Sequence, residues 1–178
     1  MAHYMLFVDV ERCVGCRACE IACKNVNELP EGLIKVLRMD PVLVDGKLVR
    51  YNIPTMCLHC GQPLCKNMCP AKAISITEEG AVIIDAALCV GCRLCLWICP
   101  INAPHYIRNE GRMRKCVMCI NRIREGLLPA CVKTCHMGAI KFGTFEEIIE
   151  IAHKRISRKV PLPKLLIAPL GLITLPEG

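Results

Sequence analysis

CVGCRLCLWICP at residues 89–100 and CVGCRACEIACK at residues 13–24 carry one and the same cysteine spacing, CxxCxxCxxxC. Three thiols at such short intervals let one loop wrap a compact inorganic core and reach three of its corners. The fourth, placed four residues beyond the third, is expected at the start of a helix and pointing away from its own loop. This is the spacing of cubane 4Fe–4S ligation, in which the last cysteine of a run completes the other cluster. Two further groups follow: Cys57, Cys60, Cys65 and Cys69, with a longer central gap, and Cys116, Cys119, Cys131 and Cys135, with a long gap after the second. All sixteen cysteines fall into these four groups of four. Pro70 and Pro100 follow the last cysteines of groups two and three, the place proline takes in this pattern. Lys24 and His136 stand there in groups one and four, which alters turn stiffness but not ligand number.

Other uses of cysteine fit less well. Structural zinc takes two separated CxxC knuckles around one tetrahedral ion, and overlapping triplets such as Cys13–Cys16–Cys19 are a poor match. A disulfide scaffold calls for an export signal. Met1 to Glu11 lacks the basic start and apolar stretch of such a signal; its Tyr4–Val10 run reads as a short strand. No stretch reaches the roughly 18–20 apolar residues of a membrane span. The expected setting is the cytoplasm, with reduced thiols free to bind metal. Aromatic residues are only 4 % of the chain, so something other than aromatic packing must fill much of the interior. The formal charge of +7 counts cysteines as neutral; four oxidised cubanes at about −2 each would bring the sum to about −1. Nucleic-acid binding is not expected, since no basic stripe interleaved with aromatics is present.

Because each cubane takes its last ligand from another group, pairing decides the architecture. Between groups two and three lie two alternating runs, Ala73–Thr77 and Ala81–Asp85, around a glycine-bearing turn at 78–80. That reads as a β-hairpin and makes 57–99 resemble one complete two-cluster bacterial ferredoxin module. Groups one and four are left to close a second module from the two ends. The expected ligand sets are Cys13, Cys16, Cys19 and Cys135 (cluster A); Cys23, Cys116, Cys119 and Cys131 (cluster B); Cys57, Cys60, Cys65 and Cys99 (cluster C); and Cys69, Cys89, Cys92 and Cys95 (cluster D). The alternative pairs group one with two and three with four.

The stretches CVGCRACEIAC, CLHCGQPLCKNMCP, CVGCRLCLWICP and KCVMCINRIREGLLPACVKTC resemble the four-cluster iron–sulfur subunits that accompany molybdenum and tungsten enzymes of the dimethyl sulfoxide reductase superfamily. The resemblance covers about Tyr4 to Phe142, and its most distinctive part is the gap closing on Pro129–Ala130–Cys131. It implies the same pairing of group one with group four, and four 4Fe–4S clusters. It further implies a non-catalytic electron-transfer subunit of anaerobic metabolism, carrying single electrons between a catalytic oxidoreductase subunit holding a molybdenum or tungsten cofactor and a second redox subunit or copies of itself. Formate dehydrogenase and aldehyde oxidoreductase are such catalytic subunits. Alternatives within this reading are a free-standing polyferredoxin shuttle, or the wire subunit of a hydrogenase or carbon monoxide dehydrogenase, with filament formation open. No nucleotide-binding glycine loop and no nucleophile–base arrangement is readable, so no catalytic residue is expected. The expected path runs along A, B, D and C.

The expected fold is α+β: two interleaved bacterial-ferredoxin-like two-cluster modules with short β-hairpins and helices, a C-terminal helix and an extended tail. One module takes 1–30 with 100–143; the other takes 57–99. A hairpin insertion covers 31–56, where Asp45–Gly46 suits a two-residue type I′ turn between Val42–Val44 and Lys47–Tyr51. It is expected as a flap over cluster A or C. Gly138–Phe142 mirrors the strand after Cys69. Thr144 and Glu147 form a capping-box signature, opening a helix over 144–158 with Phe145, Ile148, Ile149, Ala152 and Ile156 on its apolar face. The tail, 159–178, is apolar but broken by Pro161, Pro163, Pro169 and Pro176; it either meets a partner or folds back on its own chain. Trp97 is expected to shield a cluster from within the core. His59, His105 and His136 are expected to pack or lie at the surface. Arg17, Arg93 and Lys115 are basic residues near the cluster loops, placed to raise reduction potentials by proximity, with most such residues expected in solvent.

Overall fold

The computed structural model describes residues 3–156, 165–168 and 171–174. Over these the chain is α+β, made of short antiparallel strand pairs and short helices. Strand β1 (Tyr4–Asp9) is buried along nearly its whole length and forms the axis of the largest sheet. It pairs antiparallel with β10 (Ile140–Thr144), Leu6 opposite Phe142. Its other edge is taken by the tail: β12 (Gly171–Thr174) runs parallel to β1, and β11 (Leu165–Ala168) closes the sheet antiparallel to β12. The backbone of the described tail therefore folds back on its own chain. The remainder of 159–178, with all four tail prolines, lies outside the described residues.

Helix α6 (Phe145–Ile156) follows β10 directly. Its capping box forms as the sequence predicts: the Thr144 N–H donates to Glu147 Oε2 at 2.8 Å and the Glu147 N–H to Thr144 Oγ1 at 3.4 Å. Ile148 and Ala152 are buried against Met5 and Phe7 of β1, whereas Phe145 is left exposed. Residues 157 and 158 of the expected helix lie outside the described residues. At the far end of α6, Arg155 donates to both oxygens of buried Asp9, at 2.8 and 3.4 Å, and pairs with Glu11. These bonds fix the helix across the end of β1.

The segment after the first cysteine group begins with helix α1 (Ala18–Val26). Beyond it, β2 (Lys35–Arg38) pairs with β5 (Asn52–Thr55), and between them β3 (Val42–Val44) pairs with β4 (Lys47–Val49). Asp45 and Gly46 both have positive φ, 49° and 74°, as a type I′ turn requires. The outer hairpin is exposed, but Leu33, Ile34, Val36 and Met56 at its base are buried with Leu6, Val8 and Ile140 in one core. Asn52 donates to the Cys13 carbonyl at 3.1 Å, seating this base against the first cysteine loop.

Helix α2 (Leu64–Asn67), the hairpin β6 (Ile74–Ile76) with β7 (Val82–Ile84), and helix α3 (Leu94–Trp97) surround a second core. A further hairpin, β8 (His105–Ile107) with β9 (Arg112–Arg114), is not apparent from the sequence. It packs on that second core through Met113 and Tyr106, although the sequence groups 100–143 with the N-terminal segment. Arg93 lies 3.9 Å over the Tyr106 ring, which anchors the contact. Helices α4 (Ile120–Arg124) and α5 (Ala130–Thr134) lie between this hairpin and β10, and α5 packs on α1. Arg124 of α4 reaches Glu79 in the β6–β7 turn at 2.6 Å; the guanidinium holds that carboxyl down at about 2.

Candidate metal centres

The four cysteine loops share one backbone device. The residue before the second cysteine of each CxxC has positive φ: Gly15 at 73°, His59 at 49°, Gly91 at 68° and Met118 at 56°. This left-handed residue turns the loop so that its backbone N–H groups face inward. In groups one and three it is glycine for a second reason as well. A Cβ on Gly15 would stand 2.6 Å from Asn52 Oδ1, and one on Gly91 would collide with the Gly111 carbonyl. In groups two and four the position is held by the fully buried His59 and Met118, whose packing offsets about 1–2 kcal/mol of backbone strain.

The third cysteine of each group sits in a short helix: Cys19 in α1, Cys65 in α2, Cys95 in α3 and Cys131 in α5. The fourth lies one turn on, four residues later. Cys23 is inside α1, Cys135 caps the end of α5, and Cys69 and Cys99 lie just past α2 and α3. The sequence predicts the fourth cysteine at a helix start. The helix in fact opens at or just before the third, and its rise carries the fourth away.

The cysteines meet across groups. Cys13, Cys16, Cys19 and Cys135 line one cavity. Cys23, Cys116, Cys119 and Cys131 line another, and Cys69, Cys89, Cys92 and Cys95 a third. Burial raises the thiols of Cys60 and Cys65, and Cys57 and Cys99 stand close enough for their charges to add to it. These nests are named A, B, D and C after the expected sets. Among the described residues no three Cys, His, Asp or Glu side chains converge on a single metal ion; the thiols ring their cavities instead. That spread suits the corners of a cubane better than one tetrahedral ion.

The neighbourhoods give an order. Cys131 of B feels Cys19 of A, Cys116 of B feels Cys57 of C, and Cys95 of D feels Cys65 of C. The nests therefore run A, B, C, D. The sequence suggests D before C; the stretch from Lys115 to Cys116 runs directly alongside Cys57 and puts C next to B. Of the sixteen cysteines only Cys16 and Cys92 are exposed, and they belong to the two ends of the row.

Burial sets the electrostatics. It pushes the Cys19 thiol up to about 12 and Cys95 to about 11, and it raises Cys116 and Cys131 too. These groups stay protonated at neutral pH unless a cation takes the place of the proton. Donors stand ready for the thiolates. Backbone N–H groups of Leu33, Ala103, Met113 and Ala139 donate to Cys23, Cys99, Cys89 and Cys135 at 3.3–3.4 Å. Those of His59 and Met118 donate to Cys57 and Cys116 at 3.4 Å. Such N–H···S bonds favour the charged form.

Two polar side chains are buried at nest C. His59 accepts the Val82 N–H on Nδ1 at 3.0 Å, so its own proton sits on Nε2. That atom is buried with no partner among the described residues, a donor awaiting an acceptor. Burial, followed by the charge of Lys115, holds the imidazole well below its ordinary value and hence neutral. Lys115 is only 2 % exposed, where the sequence suggests solvent for most basic residues near the loops. A buried donor without a partner, on a residue whose backbone N–H already reaches Cys57 Sγ, fits a site that takes a sulfide-bearing group.

Trp97 reverses the opposite expectation. At 82 % exposure it shields nothing from within the core, and Val90, Leu88 and Leu94 are exposed around the same loop. Arg17 and Arg93 are exposed. His136 is exposed on the rim of nest A, and His105 is half-buried in β8. Among the described residues no helix is long and apolar enough to cross a membrane.

Comparison with known proteins agrees with this chemistry. The family model described as a 4Fe-4S dicluster domain matches residues 48–145. A probable anaerobic dimethyl sulfoxide reductase chain, YnfG, of Escherichia coli K12 is 34 % identical over 185 residues, 99 % of this chain and 90 % of the relative. A second anaerobic dimethyl sulfoxide reductase chain of the same organism is 33 % identical with the same coverage. The iron-sulfur subunit of its nitrate-inducible formate dehydrogenase is 36 % identical over 88 % of this chain and 60 % of the relative. With sixteen cysteines in cubane spacing, a matching 4Fe-4S dicluster model and the iron-sulfur subunit of a formate dehydrogenase among its relatives, the chain belongs to the 4Fe–4S dicluster family and is a non-catalytic iron–sulfur electron-transfer protein.

Proposed function

We propose that the chain is a four-cluster wire, passing electrons one at a time between a catalytic subunit and a second redox partner. The clusters supply one-electron redox chemistry; the chain holds them, shields them and sets their spacing. In this reading Cys13, Cys16, Cys19 and Cys135 hold cluster A and Cys23, Cys116, Cys119 and Cys131 cluster B. Cys57, Cys60, Cys65 and Cys99 hold cluster C, and Cys69, Cys89, Cys92 and Cys95 cluster D. Groups one and four then close one two-cluster module from both ends, consistent with the packing of α1 on α5, around a second built on 57–99.

The observation that carries the reading is the row itself, with its two exposed cysteines, Cys16 and Cys92, in the terminal nests. A wire needs an entry and an exit and insulation between them. The exposed apolar residues Leu88, Val90, Leu94 and Trp97 beside nest D suit a protein partner better than water. The relatives are chains of dimethyl sulfoxide reductase and formate dehydrogenase, which favours a molybdenum- or tungsten-dependent catalytic partner. Sixteen cysteines committed to metal fit a reducing compartment, the cytoplasm.

Anaerobic purification followed by iron and sulfide analysis tests the reading. About sixteen of each per chain are expected from four cubanes. About eight would leave two nests without a cluster and sink the four-cluster wire.

A further inference from the structure

Lys115 occupies a place that a structural lysine seldom takes. It is buried between nests B and C, directly before Cys116 in the chain, and its Nζ meets three acceptors. It donates to Cys57 Sγ at 3.3 Å, to the Cys116 carbonyl at 3.2 Å and to the Val82 carbonyl. An ammonium has three N–H donors and no acceptor, so the pocket is satisfied donor for donor. The Val82 peptide is held from both sides, since its N–H goes to His59. The β6–β7 hairpin thus fixes Lys115 in place rather than leaving it to swing.

A buried ammonium without an anion is strongly disfavoured, and among the described residues no carboxylate is bonded to Lys115. The negative charge within reach is thiolate: Cys57 of nest C in direct contact, and Cys116 of nest B, the next residue in the chain, whose carbonyl holds the ammonium at the edge of that nest. We propose that Lys115 is a positioning residue, a fixed cation shared by the two inner clusters that keeps their reduction potentials up. Adding an electron makes a thiolate-bound cubane more negative, and a cation held beside it favours that state. The inner clusters become stepping stones that accept electrons readily from the terminal ones. The inference rests on the four-cluster reading above, and the experiment separates the two.

The test compares wild type with Lys115→Met, Lys115→Gln and Lys115→Arg in the full chain, purified anaerobically with any partner that accompanies it. Iron content is measured first, then the midpoint of each cluster by redox titration followed by electron paramagnetic resonance. Wild type with far fewer than about sixteen irons per chain refutes the four-cluster reading before Lys115 is at issue. With wild type fully loaded, the Met and Gln variants should keep their iron while two of the four midpoints move to more negative potential, and Arg should hold all four near wild type. Unchanged midpoints, or an equal shift of all four, would overturn the proposal. So would loss of iron from both Met and Gln variants with Arg fully loaded, because the lysine would then be structural only.

Discussion

Gly15 and Gly91 occupy the same place in two copies of one loop, and both need more than freedom of φ. At Gly91 the neighbouring backbone of Gly111 leaves no room for a Cβ, and a backbone cannot rotate away as a side chain can. Gly91→Ala is therefore expected to cost more than the ~1 kcal/mol of an ordinary left-handed alanine, and to lower iron content by about one cubane per chain. At Gly15 the obstacle is the Asn52 side chain, so Gly15→Ala should be the milder of the two. Iron analysis and thermal unfolding of the pair check the ranking. The glycines were legible in the repeated CVGC. The burial of Lys115 was not, since a lysine before a cysteine reads the same in solvent as in a pocket. Only the approach of Val82 and Cys57, far off in sequence, decides it.

Local chemistry made several elements readable. Asp45–Gly46 fixed a turn, Thr144 with Glu147 fixed a helix start, and alternation fixed the β6–β7 pair; each signal lies within a few residues. The β8–β9 hairpin escaped because its strands are held by contacts with the second core rather than by alternation of their own. Trp97 escaped for the reverse reason: aromatic size suggests a core, yet α3 turns that face outward. The placement of α6 depends on a pair no local pattern announces. Asp9 is buried, and Arg155 answers it from the other end of the chain. Charge-assisted bonds of this kind contribute about 1.5–3 kcal/mol. Arg155→Ala should cost about 2 kcal/mol, and Asp9→Asn in the same background should recover part of it, because the lone buried carboxylate is gone. Denaturant unfolding of the single and double variants reads the coupling.

For the molecule as a whole, the sixteen ligand candidates were legible by counting, and the proposed sets follow from asking how each run could be completed. Their order in space was not, since it depends on which loop of one half lies against the other. That order puts Trp97 beside the last nest, where it belongs to the surface. Trp97→Ala should leave iron content unchanged and alter stability by no more than about 0.5 kcal/mol, as surface replacements do. In the wire reading proposed above, it should slow electron exchange with a partner at that end. Equal exchange rates in the variant and the wild type, followed by stopped-flow oxidation of the reduced chain, would remove the tryptophan from the docking face.

The single helical turn between the third and fourth cysteines has a consequence for assembly and damage. Cys19 and Cys23 leave one helix for different cavities, as Cys131 and Cys135 do from another. If oxygen strips one cubane, the helix that loses its anchor is the same one steadying the cubane beside it. Maturation should consequently advance in pairs, and repair would have to rebuild both members together rather than swap out one.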